Sequence, residues 1–269
     1  MSIRRTHERK RFLRCFWRKL FPTLKATSYL RLMRFVSPLL ALLMTSPLPA
    51  AELLLPTKSR QAVVVLAPSW NASRATLQRW ARESSTAGWK QVGRAVPVMV
   101  GERGLGWGLG LHRHAPDEGP IKAEGDRRAP AGVFAVTGAF GKAGRAVGKL
   151  PWQQVSPTLE AVDDPKSRYY NRIVDRARID APDWQSSERM ATIPDYALGI
   201  VVAHNPRNLP GAGSCIFIHL WLGQRSGTAG CTVLRESDML ELMSWLDPAS
   251  EPVLVQLPRA VAVRDLRGF

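Results

Sequence analysis

Short apolar runs recur along this chain, and glycine, proline or polar residues separate them. The runs rich in β-branched and aromatic side chains are QAVVVLAP, VFAVTG, LGIVVAHN, SCIFIHLW and PVLVQLP. Short runs of this composition predict buried β-strands. The glycine- and valine-rich segment 88–112 predicts further strands joined by tight turns.

Helical periodicity is clear at only one place, near the carboxyl end. The apolar residues between Met239 and Leu246 follow a helical spacing and form one stripe. Asp238, with Glu241 three residues later, is predicted to cap this helix, and Pro248 is predicted to end it.

Three other stretches carry weaker patterns. Segment 72–86 offers at most one short helix, residues 115–132 form a polar loop, and residues 149–195 are polar, aromatic and irregular. A long polar excursion inside a compact domain is typical of a loop that forms or covers a site. The whole pattern predicts a mainly β fold with one or a few short helices. A single domain is expected over residues 52–269, with its core at about 61–257.

The 269 residues carry a formal net charge of +16, which invites a nucleic-acid interpretation. The distribution of charge argues against it, because residues 1–51 hold 11 of the 38 Lys and Arg residues and one of the 22 acidic residues. A nucleic-acid-binding domain concentrates its basic residues on the folded surface. We therefore expect no nucleic-acid partner.

Residues 1–51 have the pattern of an export signal. A basic run precedes the apolar run from Phe35 to Met44, and SPLPAAE follows it, with cleavage predicted near Ala50 or Ala51. The apolar run is shorter than the roughly 18 residues of a membrane span, so no stable transmembrane segment is expected after cleavage. We predict a periplasmic or cell-envelope location, with Met33 as a possible true start. A long uncleaved signal anchor and a basic cytosolic arm are the alternatives.

The main chemical feature is a histidine and a cysteine that a turn can bring together. His219 lies in the apolar run 214–221, and Cys231 follows a glycine-containing turn. A neighbouring imidazole lowers the pKa of a thiol and later passes a proton to a leaving amine. Gly230 permits a tight turn in which backbone N–H groups face a developing oxyanion. Each of these residues could equally be an ordinary structural residue.

Cys215 and Cys231 are the two cysteines beyond residue 51. They could form a disulfide in an oxidising compartment. A nucleophilic Cys231 must instead be free, and strand alternation places Cys215 on the same face as Phe217, His219 and Trp221. Cys215 is therefore predicted to be a small core residue, or else to line the same site.

Several sequence blocks together resemble a known family. The blocks GSCIFIHLW and GTAGCTVL, with PIKAEGDRRAPAGVF upstream, are similar to the L,D-transpeptidase catalytic domain, or YkuD family, in its exported bacterial branch. The similarity runs from about Gln61 to Leu257 and includes VDDPKSRYYNRIVD and HNP. It implies a β-sandwich or open-barrel domain that acts on peptidoglycan stem peptides without a cofactor.

The resemblance also implies a mechanism. In this family a cysteine is acylated by the tetrapeptide stem of a donor strand, and the acyl group then passes to an amine of an acceptor stem. By resemblance, Cys231 is the nucleophile and His219 is the general base. The backbone N–H groups of Gly230 and Cys231 are the implied oxyanion donors.

The chain departs from the family pattern beside the nucleophile. The commoner pattern reads Ser-His-Gly-Cys and often has an arginine shortly after it, whereas this chain has Thr228-Ala229-Gly230-Cys231 and then Thr-Val-Leu. The reaction class therefore transfers better than the substrate geometry. Two alternatives stay open, namely a cysteine-dependent peptidoglycan hydrolase (carboxypeptidase, endopeptidase or amidase) and a non-catalytic wall-binding protein.

Four further residues are candidates for contacts with the stem peptide. They are His204, Trp221, Tyr170 and Asn171, with Tyr169 beside them. The structural alternatives are a turn cap for the histidine, a core position for the tryptophan and ordinary loop packing for the others.

Two more polar groups are expected to have no role in the chemistry. Lys122, Glu124 and Asp126 are interpreted as a solvated loop. His112 and His114 form an H-x-H pair, but no Cys or carboxylate cluster at ligand spacing accompanies them, so no metal is expected.

Overall fold

A computed structural model describes residue 53 and residues 55–112, 118–223 and 227–266. Ala50–Phe269 form one compact unit. The described strands are β1 (Gln61–Ala67), β2 (Arg74–Ala81), β3 (Lys90–Met99), β4 (Leu105–Trp107), β5 (Ala129–Gly141), β6 (Trp152–Gln154), β7 (Leu159–Val162), β8 (Arg172–Asp175), β9 (Ser187–Arg189), β10 (Leu198–Val202), β11 (Phe217–Leu220), β12 (Thr232–Leu234) and β13 (Val253–Pro258). The described helices are α1 (Glu236–Trp245) and α2 (Arg259–Asp265).

The main sheet closes on itself. Its strands follow the order β10-β11-β12-β3-β2-β1-β13-β5, and pairing between β5 and β10 completes the ring, with β4 and β6 attached to β5. Inward-facing side chains of a closed ring of this size fill its interior. The predicted mainly β, single-domain fold is confirmed, and the ring is the barrel-like core of that domain.

The central strands β1 and β13 are almost entirely buried, and apart from Gln61 and Gln256 their residues are apolar. All residues of β13 are buried, and so is every residue of β1 except Leu66. The two strands run parallel, with Ala62 opposite Val253 and Ala67 opposite Pro258. β-branched side chains suit such doubly covered strands, which is why the sequence predicts both of them.

The interpretation of residues 149–195 as irregular is wrong. This segment contains β6 and also β7, β8 and β9, which form a second, three-stranded sheet in the order β8-β7-β9. The three strands are only three or four residues long. Such short strands carry too few residues to show a period of two, so pairing between distant segments forms this sheet without a local signal.

Two helix predictions also need correction. Segment 72–86 contains β2 and no helix, and its alternation of buried Ala75, Leu77 and Arg79 with less buried neighbours is a strand period. Asp238 lies inside α1, which begins at Glu236, and its carboxylate accepts from Arg94 and Arg235 rather than from the helix backbone. The predicted apolar stripe of α1 is confirmed as buried. Among the described residues, no helix is long and apolar enough to cross a membrane.

Candidate active site

The pairing of β11 with β12 brings together His219, which lies in β11, and Cys231, which immediately precedes β12. These strands are parallel, with Ile218 opposite Thr232 and His219 opposite Val233. Continuing this register by one residue sets Cys231 opposite Phe217, two residues before His219. Side chains alternate along a strand, so His219 and Cys231 lie on the same face as diagonal neighbours.

Cys231 is buried immediately before β12. Its side chain is 9% exposed, and its Sγ accepts from the N–H of Phe217 at 3.3 Å. Burial and then the Glu188 carboxylate raise the pKa of the thiol to about 12, against the lowering effects of the Phe217 N–H and Lys122. The resting side chain is therefore a thiol.

Main-chain contacts fix the imidazole of His219. Its Nδ1 lies 3.0 Å from the carbonyl oxygen of Leu220, which can only accept, so Nδ1 carries the proton. The other ring nitrogen, Nε2, then has the lone pair that a general base needs. The ring also packs edge-on against Tyr196, with 5.1 Å between centroids.

The turn before Cys231 is held by Thr228. Its hydroxyl donates to the carbonyl oxygen of Cys231 at 2.5 Å and accepts from the N–H of Gly230 at 3.2 Å. A Cβ on Gly230 would lie 3.2 Å from the Arg128 carbonyl oxygen and 3.3 Å from Ile216, which explains the glycine. The expectation that the Gly230 N–H is an oxyanion donor needs correction, because Thr228 already takes it.

Lys122, Glu124 and Asp126 do not form a solvated loop, and that interpretation is wrong. Lys122 is 5% exposed and pairs with Asp126 at 2.6 Å. Glu124 accepts from the hydroxyls of Tyr170 at 2.5 Å and Ser214 at 2.7 Å. Pairing offsets the cost of burying these charges, and the partners of Glu124 lie far from it in the sequence.

Tyr196 and Glu188, which the sequence did not suggest as site residues, form a pair beside His219 and Cys231. The hydroxyl of Tyr196 donates to Glu188 Oε2 at 2.5 Å. Burial raises the pKa of Glu188, while the Tyr196 hydrogen bond lowers it and nearby Asp163 and Glu124 raise it. Tyr196 is 3% exposed, and burial followed by the nearby Cys231 raises its pKa. No motif links these two residues in the sequence.

Asn171 holds the loop 203–215 in place. Its Nδ2 donates to the carbonyl oxygens of His204 at 3.0 Å and Asn205 at 2.9 Å and to Asn208 Oδ1 at 3.2 Å, while its Oδ1 accepts from the N–H of Cys215 at 2.8 Å. Asn171 itself has a left-handed backbone with φ of 61°. The structure thus assigns this side chain four contacts within the protein.

Tyr170 and Tyr169 are packed into the same region. Tyr170 is 2% exposed, and its hydroxyl accepts from the N–H of Gly213 at 3.1 Å while donating to Glu124. Burial and then the Glu124 carboxylate raise the pKa of Tyr170. The Tyr169 ring packs edge-on against Trp184. The buried Tyr170 hydroxyl therefore supports the loop that carries Gly213.

His204 has the same kind of structural role. Its Nδ1 accepts from the N–H of Leu109 at 3.3 Å, and its Nε2 donates to the carbonyl oxygen of Ala212 at 2.9 Å. Burial lowers the pKa of this histidine to about 4, so it is neutral. Both ring nitrogens are hydrogen-bonded to the main chain, so the structure gives the ring a role in holding the loop 203–215 rather than in contacting substrate.

Trp221 and the two histidines of the H-x-H pair remain to be placed. Trp221 is half-buried just after β11, and its buried Nε1 makes no hydrogen bond to a described residue. His112 packs against Phe134 and Trp107, and burial lowers its pKa. His114 lies outside the described residues. In the described ranges, no group of three or more His, Cys, Asp or Glu side chains is placed to hold a metal ion.

Cys215 and Cys231 are both free thiols. Cys215 precedes β11 with a left-handed backbone, φ 51°, so it is not part of the strand. It still packs with the buried cluster that contains Phe217 and Cys231, and its carbonyl oxygen lies 3.7 Å from Cys231 Sγ. Cys231 is therefore not consumed by a disulfide.

Comparison with known proteins gives one match. The sequence model of YkuD, the L,D-transpeptidase catalytic domain, matches residues 80–255. No curated protein and no solved structure matches the chain. The matched range includes both strands that carry His219 and Cys231.

Proposed function

Since this chain belongs to the YkuD family of L,D-transpeptidase catalytic domains, we propose that it transfers an acyl group between peptidoglycan stem peptides through a thioester on Cys231. The observation that carries the proposal is the β11–β12 register, which sets His219 and Cys231 on one face as diagonal neighbours. The TAGC sequence stands where the commoner family pattern has Ser-His-Gly-Cys.

In the first half-reaction, Cys231 Sγ attacks a peptide carbonyl of the donor stem. His219 Nε2 takes the thiol proton as the S–C bond forms, because the buried thiol does not ionise by itself near neutral pH. The C–N bond then breaks, and the imidazolium returns its proton to the leaving amine. The products are a Cys231 thioester and the released amine.

In the second half-reaction, an acceptor amine attacks the thioester carbonyl. His219 takes a proton from the attacking nitrogen, the new C–N bond forms, and the S–C bond breaks. The departing sulfur recovers the proton from the imidazolium. Both half-reactions pass through an oxyanion, for which we retain the N–H of Cys231 as the donor because Thr228 takes that of Gly230.

We further propose that the protein is exported and acts in the cell envelope, where stem peptides occur. The basic and apolar pattern of residues 1–51, which lies outside the described residues, supports export. Peptidoglycan stem peptides would then be both donor and acceptor in cell-wall cross-linking or remodelling.

The test is incubation of the protein with purified muropeptides, followed by mass spectrometry, for wild type and Cys231→Ala. New dimers joined by a peptide bond are expected from wild type and absent from the variant. Shortened monomers without dimers would instead establish hydrolysis, in which water resolves the thioester. Equal product from both proteins would remove Cys231 from the mechanism.

A further inference from the structure

A cavity of about 260 Å³ lies beside the nucleophile, between the second sheet and the main sheet. It is lined by residues of β8, the end of β10, the loop that follows, and the residues leading into β11. The lining includes Asn171, Arg172, Asn208, Cys215 and Phe217. We call this the Arg172 cavity.

The Arg172 cavity shares a wall with Cys231. The N–H of Phe217 lies 3.3 Å from Cys231 Sγ, and the carbonyl oxygen of Cys215 lies 3.7 Å from the same atom. Phe217 and Cys215 both line the cavity. Cys231 itself does not line the cavity, so the main chain of Cys215 and Phe217 stands between a bound group and the reacting sulfur.

The lining favours an anion. It includes the guanidinium residue Arg172 and two asparagines but no Asp or Glu. Arg172 is exposed, and its side chain forms no ion pair or hydrogen bond with any residue that the structure describes. The Nδ2 of Asn208 is likewise not engaged within the described part of the chain, since only its Oδ1 takes part in the Asn171 network. A planar guanidinium binds a carboxylate with two parallel hydrogen bonds.

The cavity wall is held in a strained backbone conformation. Asn171, Asn208 and Cys215 all line it, and all three have left-handed φ angles of 61°, 53° and 51°. Left-handed conformations of residues other than glycine cost free energy and concentrate at functional sites. The four hydrogen bonds of the Asn171 side chain hold this wall together.

We propose that the Arg172 cavity binds the terminal carboxylate of the donor stem peptide, with Arg172 as the specificity-determining residue, an inference that rests on the proposed function. A peptide extends about 3.5 Å per residue, so a carboxylate one residue beyond the attacked carbonyl fits the short distance between cavity and sulfur. The volume suits a chain end rather than a whole muropeptide, because drug-sized ligands occupy roughly 300 Å³ or more. This chain lacks an arginine directly after Cys231, and Arg172 supplies a cation from another strand.

The test uses a synthetic tetrapeptide stem in two forms, one with a free terminal carboxylate and one with a terminal carboxamide. Intact-protein mass spectrometry follows the Cys231 adduct, and release of the terminal residue gives kcat and KM. Arg172→Ala is expected to raise KM for the carboxylate form by roughly tenfold or more and to leave the carboxamide form unchanged. Arg172→Lys is expected to keep part of the preference. The control Arg178→Ala removes an exposed arginine of the same sheet region and is expected to change neither substrate.

The outcomes separate the two proposals. An equal effect of Arg172→Ala on both peptides, or no effect on either, would overturn the assignment of the cavity. If wild type forms no adduct with either peptide, the proposed acyl transfer fails, and binding to Cys231→Ala protein is measured by calorimetry instead. If the double variant Cys231→Ala/Arg172→Ala binds only the carboxylate form more weakly than Cys231→Ala does, the result supports the assignment of the cavity. Equal binding of both forms contradicts that assignment.

Discussion

Neighbouring groups shift the pKa of the Cys231 thiol in opposite directions. Burial and the Glu188 carboxylate favour the thiol, whereas the Phe217 N–H and Lys122 favour the thiolate. The first pair dominates, so the sulfur stays protonated until a base takes the proton. A nucleophile of this kind is protected from adventitious oxidation and alkylation, because those reactions need the thiolate.

Replacing Glu188 by glutamine should make Cys231 more reactive. The substitution keeps an acceptor for the Tyr196 hydroxyl and removes the negative charge that faces the thiol, so the thiol pKa falls. Alkylation of Cys231 by iodoacetamide at pH 8, followed by peptide mapping, should be faster by roughly tenfold for each unit of fall in pKa. Glu83→Gln, at an exposed position, is the control. An unchanged pH profile for Glu188→Gln would contradict the electrostatic role.

The neutral His204 should make the protein sensitive to acid. Its pKa is about 4 when folded and about 6.5 when unfolded, so its contribution is complete above pH 6.5 and is lost as the pH falls toward 4. The loss is about 3 kcal/mol at most. Urea unfolding at pH 7 and pH 4 should show that His204→Gln, although less stable at pH 7, loses less stability on acidification than wild type. Equal losses in the two proteins would show that His204 does not titrate in this way.

At the residue scale, the sequence predicts the reacting residues better than it predicts the burial and pairing of the charged residues around them. His219 and Cys231 stand out because both lie in one apolar block interrupted by glycines. In the structure His219 lies in β11, and Cys231 immediately precedes β12, the strand that pairs with β11. Lys122 and Glu188 do not stand out, because nothing in their local sequence shows that they are paired inside the fold. Their partners are Asp126, four residues after Lys122, and Tyr196, eight residues after Glu188. From sequence alone a charged residue is expected to be exposed to solvent, because charged residues are rarely buried unless they are paired.

At the scale of elements, short segments are held by side chains as much as by pairing. The loop 203–215 contains no strand or helix, yet Asn171, just before β8 of the second sheet, bonds to both of its ends. The sequence could predict β1 and β13, where burial on both faces gives a continuous apolar run. It could not predict β7, β8 and β9, whose pairing depends on the whole fold.

Asn171→Ala should destabilise the protein far more than Asn208→Ala. Both residues have left-handed backbones, so the strain of adding alanine is similar in the two variants. Asn171 loses four hydrogen bonds and Asn208 loses one. The free energy of unfolding in urea should fall by about 2–4 kcal/mol for Asn171→Ala, and by clearly less for Asn208→Ala. Similar losses would mean that backbone strain, not bonding, dominates.

At the scale of the whole molecule, the two ends of the compact unit meet. Leu53 is 3% exposed and forms a bridge with Leu266, just after α2. A protein that begins at residue 52 should therefore be more stable than one that begins at residue 56. Burial of one leucine is worth about 1.5–3 kcal/mol, which corresponds to a shift in Tm of roughly 3–12 °C for a domain of this size. Thermal unfolding measures this shift, and identical Tm values would show that the bridge contributes nothing.

The position of β13 sets the order in which this molecule can become complete. Among the described strands β13 is the last to be synthesised, but it lies between β1 and β5, which are made much earlier. Until it arrives, those two strands have exposed edges, and the ring cannot close around its interior. Chains cut short before Val253 are therefore expected to aggregate or be degraded. The nascent polypeptide can therefore bury His219 and Cys231 in a closed ring only after β13 has been synthesised.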